Sequence, residues 1–312
     1  MKNKNSKIFL AGHKGLVGSA VYRKLVKLNY KKIITIDKKK LDLTNQQKVF
    51  KYLKKTKPNI VIICSAKVGG IKANNIYRAQ FIYENLAIQN NLIHGSFLAG
   101  VKKLIFLGSS CVYPKLSKQP IKEEYLLTSE LEETNEPYAI AKISGIKLCE
   151  SYNKQYKTNY ISLMPTNTFG PNDSYDLQNS HFIPALIRKI YEAKKKKKNF
   201  LYLWGTGNAK REILHVDDLA DAIVYFMNKK INHDYLNIGS DFEKSINEYA
   251  KILMKIAGAN LKIKYVGPGY DGTPRKKLNT NLAKKYGWKP KIPLVYALKK
   301  TYEEYSKLRK KK

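Results

Sequence analysis

The chain has 312 residues, 43% hydrophobic content, eleven prolines and a formal charge of +35, which suits one large or two smaller globular domains and excludes a disordered polymer. The apolar part of "MKNKNSKIFLAG" is too short for a signal-peptide core and no later stretch approaches a membrane span, so a soluble, cytoplasmic protein without a membrane partner is expected. Lysines are spread over the whole chain, with dense runs only at Lys194–Lys198 and Arg309–Lys312 and no recognised nucleic-acid module beside them, so no nucleic-acid partner is expected and the charge reads as compositional bias that also suits an anionic substrate.

The first half alternates strand and helix patterns. "KIFLAG" (7–12) reads as a strand, "GLVGSAVYRKLVKL" (15–28) as an amphipathic helix and "KIITID" (32–37) as a second strand. "TNQQ" (44–47) has the form of a capping box opening a helix that Pro58 closes, and "NIVIICSA" (59–66) follows as a third strand. A helix over roughly 76–99 leads to the strand "KLIFLGSS" (103–110). The stretch 135–156 begins with a cap-type Asn and an early Pro before running helical, and "YISLMPTNTFG" (160–170) returns as a strand. Such alternation predicts an α/β fold with a doubly wound parallel sheet, Rossmann-like, covered on both faces. Beyond Pro171 the regularity breaks into helical pieces ("IPALIRKIYEAKK", "VDDLADAIVYFMNK", "SINEYAKILMKIAG") and short strands ("FLYLW", "YLNIG", "KIKYVG"), some rejoining the sheet and others forming a smaller α/β domain.

"GHKGLVG" joins the first strand to the first helix, with Gly12, Gly15 and Gly18 spaced G-x-x-G-x-x-G. Glycines there let the backbone turn tightly and approach a pyrophosphate at the helix N-terminus, so a dinucleotide is the expected ligand. Asp37, some twenty residues on, is placed to bind ribose hydroxyls, whereas Lys14, Lys38, Lys39 and Lys40 form a cluster suited to an additional phosphate; the charges favour NADP over NAD. Tyr138 and Lys142 form Y-x-x-x-K, one helical face. A free tyrosine titrates near 10, and a neighbouring ammonium lowers that by roughly one to three units. Ser109 or Ser110, at the end of the fourth strand, can hydrogen-bond the same carbonyl oxygen, a combination suited to hydride transfer. The three cysteines, Cys64, Cys111 and Cys149, show neither CxxC nor metal-ligand spacing, so no metal and no disulfide framework is expected. Cys64 and Cys149 sit in apolar surroundings and read as core, which leaves Cys111, in "GSSCVYP", unexplained by packing.

With "AGHKGLVGSA", "LGSSCVYPK", "NEPYAIAKISGIKLCESYN", "MPTNTFGPND", "NSHFIPALI", "WGTGNAKREILHVDDLA" and "DGTPRK" in place, the sequence resembles the extended short-chain dehydrogenase/reductase superfamily and, within it, the GDP-L-fucose synthase family, over nearly the whole chain. The resemblance implies an NADP(H)-dependent homodimer, its interface on two long helices of the first domain. Its substrate is a GDP-sugar, GDP-4-keto-6-deoxy-D-mannose, epimerised at C3 and C5 and then reduced at C4. It implies a cofactor domain over 1–170, rejoined by about 212–240, and a substrate domain over 171–211 and 241–312. Catalytic roles fall on Ser109, Cys111, Tyr138, Lys142 and His181, with Cys111 as base and His181 as acid in the epimerisations and Tyr138 as proton donor in the reduction. Cofactor contacts fall on Gly12, His13, Lys14, Gly15, Leu16, Val17 and Gly18, on Lys38, Asp42 and Leu43, on Leu107, Gly108, Ser109, Ser110 and Lys142, on Pro165, Thr166, Asn167 and Thr168, and on His181. Substrate contacts fall on Lys189, Trp204, Arg211 and Asp271. Lys189 departs from the arginine common at its position, giving up a bidentate fork. Among rivals, a 4,6-dehydratase would carry an acidic pair where this chain has Cys111 and Val112. A 4-epimerase needs neither Cys111 nor His181, and a non-catalytic NADP-sensing or RNA-binding protein would not need Ser109, Tyr138 and Lys142.

Overall fold

The structure, a computed structural model, describes residues 4–177, 180–267 and 272–310. The first elements are β1 (Lys7–Ala11), α1 (Leu16–Lys27), β2 (Lys32–Ile34), α2 (Gln46–Thr56), β3 (Ile60–Ile63), α3 (Ile71–Ile76), α4 (Arg78–Leu98), β4 (Lys103–Leu107), α5 (Glu136–Tyr156) and β5 (Asn159–Pro165). There follow β6 (Asn167–Phe169), α6 (Phe182–Lys195), β7 (Phe200–Trp204), β8 (Lys210–His215), α7 (Val216–Met227) and β9 (Tyr235–Ile238). The last are β10 (Glu243–Ser245), α8 (Ile246–Ala257), β11 (Lys262–Val266), β12 (Arg275–Lys276), α9 (Asn281–Lys285) and α10 (Leu294–Lys310).

Six strands form a parallel sheet in the order β2-β1-β3-β4-β5-β9. In β1, Ile8 and Leu10 pack with α1 and α7 on one face while Phe9 and Ala11 pack with α2, α4 and α5 on the other. Both faces are therefore buried, which is why these strands read as unbroken apolar runs instead of alternating ones. The chain steps from β1 to β2 in one direction and then crosses to β3 on the other side of β1, so the carboxyl ends of β1 and β3 part into a crevice.

A second sheet is centred on β8, which pairs with β10 antiparallel and with β12 and β6 in parallel, and β7 with β11 make a third, two-stranded sheet. A separate core from α6, α8, α10 and these strands lies beneath them, including Ile187, Leu203, Ile213, Tyr249 and Leu298. No helix among the described residues is long and apolar enough to cross a membrane.

Local departures from the sequence reading have local causes. The helix after "TNQQ" is capped by Asn45, whose side chain accepts the Lys48 N–H, because Thr44 turns its hydroxyl to Asp42 Oδ1 at 2.8 Å. Asn135 precedes α5 without a side-chain cap bond and instead donates to Glu132 Oε2 at 2.7 Å. A short helix, α3, precedes the long one. The second strand stops at Ile34, three residues short of Asp37. The stretch 160–170 divides at Thr166 into β5, in the main sheet, and β6, which joins β8. A division between 211 and 212 falls inside β8, which pairs with the second sheet along its length, and Ala283 and Trp288 pack back into the first core beside α7.

Replacing Asn45 by Ala is expected to cost about 1 kcal/mol of stability and Thr44 by Ala about half as much or less, since only the former removes a cap. Midpoints of urea unfolding for the two variants decide it.

Candidate active site

The glycine turn is built by steric necessity. Gly12 has φ +84, and a Cβ on it would lie 2.7 Å from Ser65 N, at the mouth of β3. A Cβ on Gly18 would collide with the Gly12 carbonyl oxygen, so the helix start packs directly on the turn. Gly15, the N-cap of α1, has only the Gly12 oxygen within reach, at 3.6 Å, and the first helical turn carries no acid. An open backbone rim at a helix N-terminus fits a diphosphate. Leu16 and Val17 anchor the turn on the core.

Asp37 is held by Lys14, Nζ to Oδ1 at 2.7 Å, and more loosely by His13 Nε2 at 3.5 Å. The Lys14 bond above all lowers its pKa below the usual carboxylate range. The acid expected to bind ribose hydroxyls is thus matched by a lysine, and Lys38, Lys39 and Lys40 stand exposed beside it. Asp42 accepts both the N–H and the hydroxyl of Thr44, bonds that lower its pKa, and Leu43 packs on the α2 side of the core.

At the end of β4, Gly108 N–H donates to Leu163 O at 2.9 Å, which ties the chain to β5 before it turns. Ser109 is extended and half-buried, its Oγ accepting the Cys111 N–H at 3.2 Å, and Ser110 is buried behind it. Across the crevice α5 presents Tyr138 and Lys142. The Lys142 ammonium donates to Leu107 O at 2.8 Å and lies 4.8 Å from the Phe106 ring centroid and 5.8 Å from that of Tyr138. Burial lowers the Lys142 pKa to about 8. Tyr138, half-buried and edge-on to Phe81, has its pKa raised by desolvation first and by the charge of Cys111 second. The depression expected from Lys142 does not occur, because the ammonium is drawn to the Leu107 carbonyl and burial outweighs it.

Sequence reasoning missed the residue beside the thiol. Lys276, on β12, brings Nζ to 3.6 Å from Cys111 Sγ and also acts on His181, the N-cap of α6. His181 presents exposed surface to the cleft yet is ringed by protein, and desolvation first and the Lys276 charge second hold its pKa below 6.5. One ammonium thus faces both the sulfur and the imidazole, and its charge helps make the His181 imidazolium a stronger acid. Pro165 ends β5, and Thr166 and Asn167 both donate to Glu212 O, at 3.0 and 3.2 Å, while Thr168 donates back to Thr166 O. Farther along, Lys189 donates to Tyr202 O at 3.0 Å and sits 5.1 Å from the Trp204 ring centroid, while Arg211 pairs in register with Lys276. Asp271 lies outside the described residues.

A cradle for a dinucleotide and a serine, tyrosine and lysine along the same carboxyl edge put the chain among the nucleotide-dependent α/β oxidoreductases, in which ligands lie at this switch point. A family model for the NAD dependent epimerase/dehydratase family matches residues 8–239, and the chain belongs to that family. It is 50% identical over 299 residues to a GDP-L-fucose synthase of Sinorhizobium fredii, covering 96% of this chain and 95% of that one. To GDP-L-fucose synthase 1 of Arabidopsis thaliana it is 48% identical, with 98% and 95% covered. A solved GDP-mannoheptose C4 reductase from Campylobacter jejuni, with NADP bound, superposes with TM-score 0.89 at 36% identity, over 98% of this chain and 100% of that one.

The three thiols should separate by reactivity. Burial pushes Cys64 and Cys149 up to about 12, so both stay protonated until the pH nears that value, whereas Cys111 is half-buried beside an ammonium. At pH 8, iodoacetamide is expected to modify Cys111 at least tenfold faster than the other two, as peptide mapping by mass spectrometry will show.

Proposed function

We propose that the chain converts GDP-4-keto-6-deoxy-D-mannose to GDP-L-fucose, by epimerisation at C3 and C5 followed by NADPH-dependent reduction at C4, in the cytoplasm. The observation that carries this reading is Cys111, seated in the same site as Ser109, Tyr138 and Lys142 and matched with an ammonium; a plain ketoreductase has no use for that thiol. Full-length similarity to GDP-L-fucose synthases supports the substrate.

The C4 ketone acidifies the hydrogens on C3 and C5. Cys111 Sγ, as thiolate, takes the proton from one face, and the His181 imidazolium returns one to the other, each recovering its starting form from solvent before the next turn. The charge that moves onto the C4 oxygen is met by the Ser109 and Tyr138 hydroxyls. The nicotinamide supplies hydride to C4 when bound, and Tyr138 gives the oxygen its proton. The turn from Gly12 to Gly18 with the α1 N-terminus is suited to hold the diphosphate, Lys14 and Lys38 to Lys40 a ribose phosphate, and Lys142 the nicotinamide ribose. Lys189 and Arg211, with Trp204, are suited to the nucleotide diphosphate of the substrate; Asp271 is retained as a contact on the family pattern.

We read the paired helices α4 and α5 as the face of a homodimer, supported by exposed Tyr83 and Ile140 along them. The cofactor and substrate units are taken as 1–170 with the segment around α7 and β9, and the remainder.

In heavy water with the keto sugar and NADPH, the wild-type product is expected to carry deuterium at C3 and C5. Cys111→Ser should lower that incorporation by about a hundredfold or more, and Tyr138→Phe should lower reduction by a similar factor; NMR reads both. NADPH consumed without deuterium at either carbon would replace this reading with a C4 reductase like the Campylobacter relative.

A further inference from the structure

Glu212 has no part in the reaction above, yet it is a fully buried acid next to the site. On β8 it follows Arg211, the register partner of Lys276. Its Oε1 accepts the N–H groups of Ser240 and Asp241, both at 2.7 Å, and Oε2 accepts that of Leu278 at 2.9 Å. Its backbone oxygen takes the Thr166 hydroxyl at 3.0 Å. Where Gly239 passes, a Cβ would collide with the carboxylate. A carboxylate taken out of water this far persists only where N–H donors replace its hydration, and here three do so from two separate segments.

One of those segments carries the ammonium beside Cys111. β12 is a two-residue strand, Arg275–Lys276, and its ladder on β8 ends at Lys276. Leu278 would continue that ladder, but its N–H goes to the Glu212 side chain instead of to backbone. The chain just past Lys276 is thus held on the β8 side by the Glu212 side chain, and on its other side by Ile121, which bonds Lys277 O and Asn279 N–H, and by Gln119, which accepts the Lys277 N–H. We propose that Glu212 is a positioning residue that acts through Lys276: its carboxylate fixes the Leu278 segment and so holds the Lys276 ammonium against Cys111 Sγ. The purpose of that arrangement rests on Cys111 being the base, but the arrangement itself is tested on the sulfur without turnover.

The test is a double-mutant cycle read as the initial rate of Cys111 alkylation by iodoacetamide at pH 8, above the Glu212 carboxyl, which burial raises to about 7. Full-length wild type, Lys276→Met, Glu212→Gln and the double variant are compared by mass spectrometry of the Cys111 peptide. Lys276→Met removes the positive charge 3.6 Å from the reacting sulfur, and is expected to slow alkylation by about three- to fourfold. Glu212→Gln, which sets an amide N–H against a backbone N–H, should approach the same loss, and the double variant should be no slower than Lys276→Met alone. Should Glu212→Gln not fold, Gly239→Ala keeps the acid but displaces it, with the same slowing expected and the same disappearance in the Lys276→Met background. Losses that multiply in the double variant, or an alkylation rate untouched by Glu212→Gln or Gly239→Ala, would overturn the proposal. A failure to incorporate deuterium in the turnover experiment with this cycle intact would instead count against Cys111 as base and leave the Glu212 link standing.

Discussion

Burial of the parallel sheet on both faces is the constraint on which the rest depends. Helices close off each face, with Ile8 and Leu10 under α1 and α7, and Phe9 and Ala11 under α2, α4 and α5. Polar chemistry has no place on those faces and is pushed to the strand ends. At the carboxyl ends the last backbone groups lie beyond the ladder and take unusual partners: Leu107 O holds Lys142, and Thr166 N–H reaches Ile238 O while its hydroxyl reaches β8. The site is made from the places where regular structure stops.

Electrostatics then decides which of many charges matters. With 59 lysines and arginines in the chain, a positive group is found everywhere on the surface, and screening makes most of them energetically indifferent. Lys142 and Lys276 differ by environment. Lys142 is enclosed and loses proton affinity to desolvation, remaining charged at neutral pH only with the Leu107 carbonyl and two ring faces as partners. Lys276 lies where its charge reaches both Cys111 and His181. The same residue type at Lys195–Lys198 is exposed.

What was legible in the sequence was what is local in the chain. The glycine turn is seven residues long, and Tyr138 and Lys142 are one helical turn apart, so spacing alone carries their geometry. The buried strands were legible because two-sided burial writes a continuous apolar run. Lys276 was not, since 165 residues separate it from Cys111 and their segments meet through long-range contacts of Gln119 and Ile121 with residues 275–279. Glu212 was hidden by a similar cause: its donors Ser240, Asp241 and Leu278 come from distant segments, and an acid between Arg211 and Ile213 gives no sign of being buried. At the split of β5 from β6 both Thr166 and Asn167 reach Glu212 O and β6 pairs with β8, a change of partner that strand periodicity does not register.

The environment of Tyr138 also bears on the order of events in the proposed reaction. Desolvation raises its pKa and negative charge on Cys111 raises it further, so the phenol is a poor base but keeps a proton to give. Once Cys111 has taken the substrate proton and become a neutral thiol, burial alone still holds the proton on Tyr138, so the phenol meets the enolate oxygen as a hydrogen-bond donor. That oxygen is a weaker base than an alkoxide, so the proton stays on the ring and the ketone is regenerated after each inversion. An alkoxide formed at C4 has a far higher proton affinity and draws the proton across whatever the state of the thiol. The burial that keeps Tyr138 protonated thus lets one hydroxyl stabilise the enolates without quenching them and still complete the reduction, and Lys142, anchored on Leu107 O, is left to hold the cofactor instead of ionising the tyrosine.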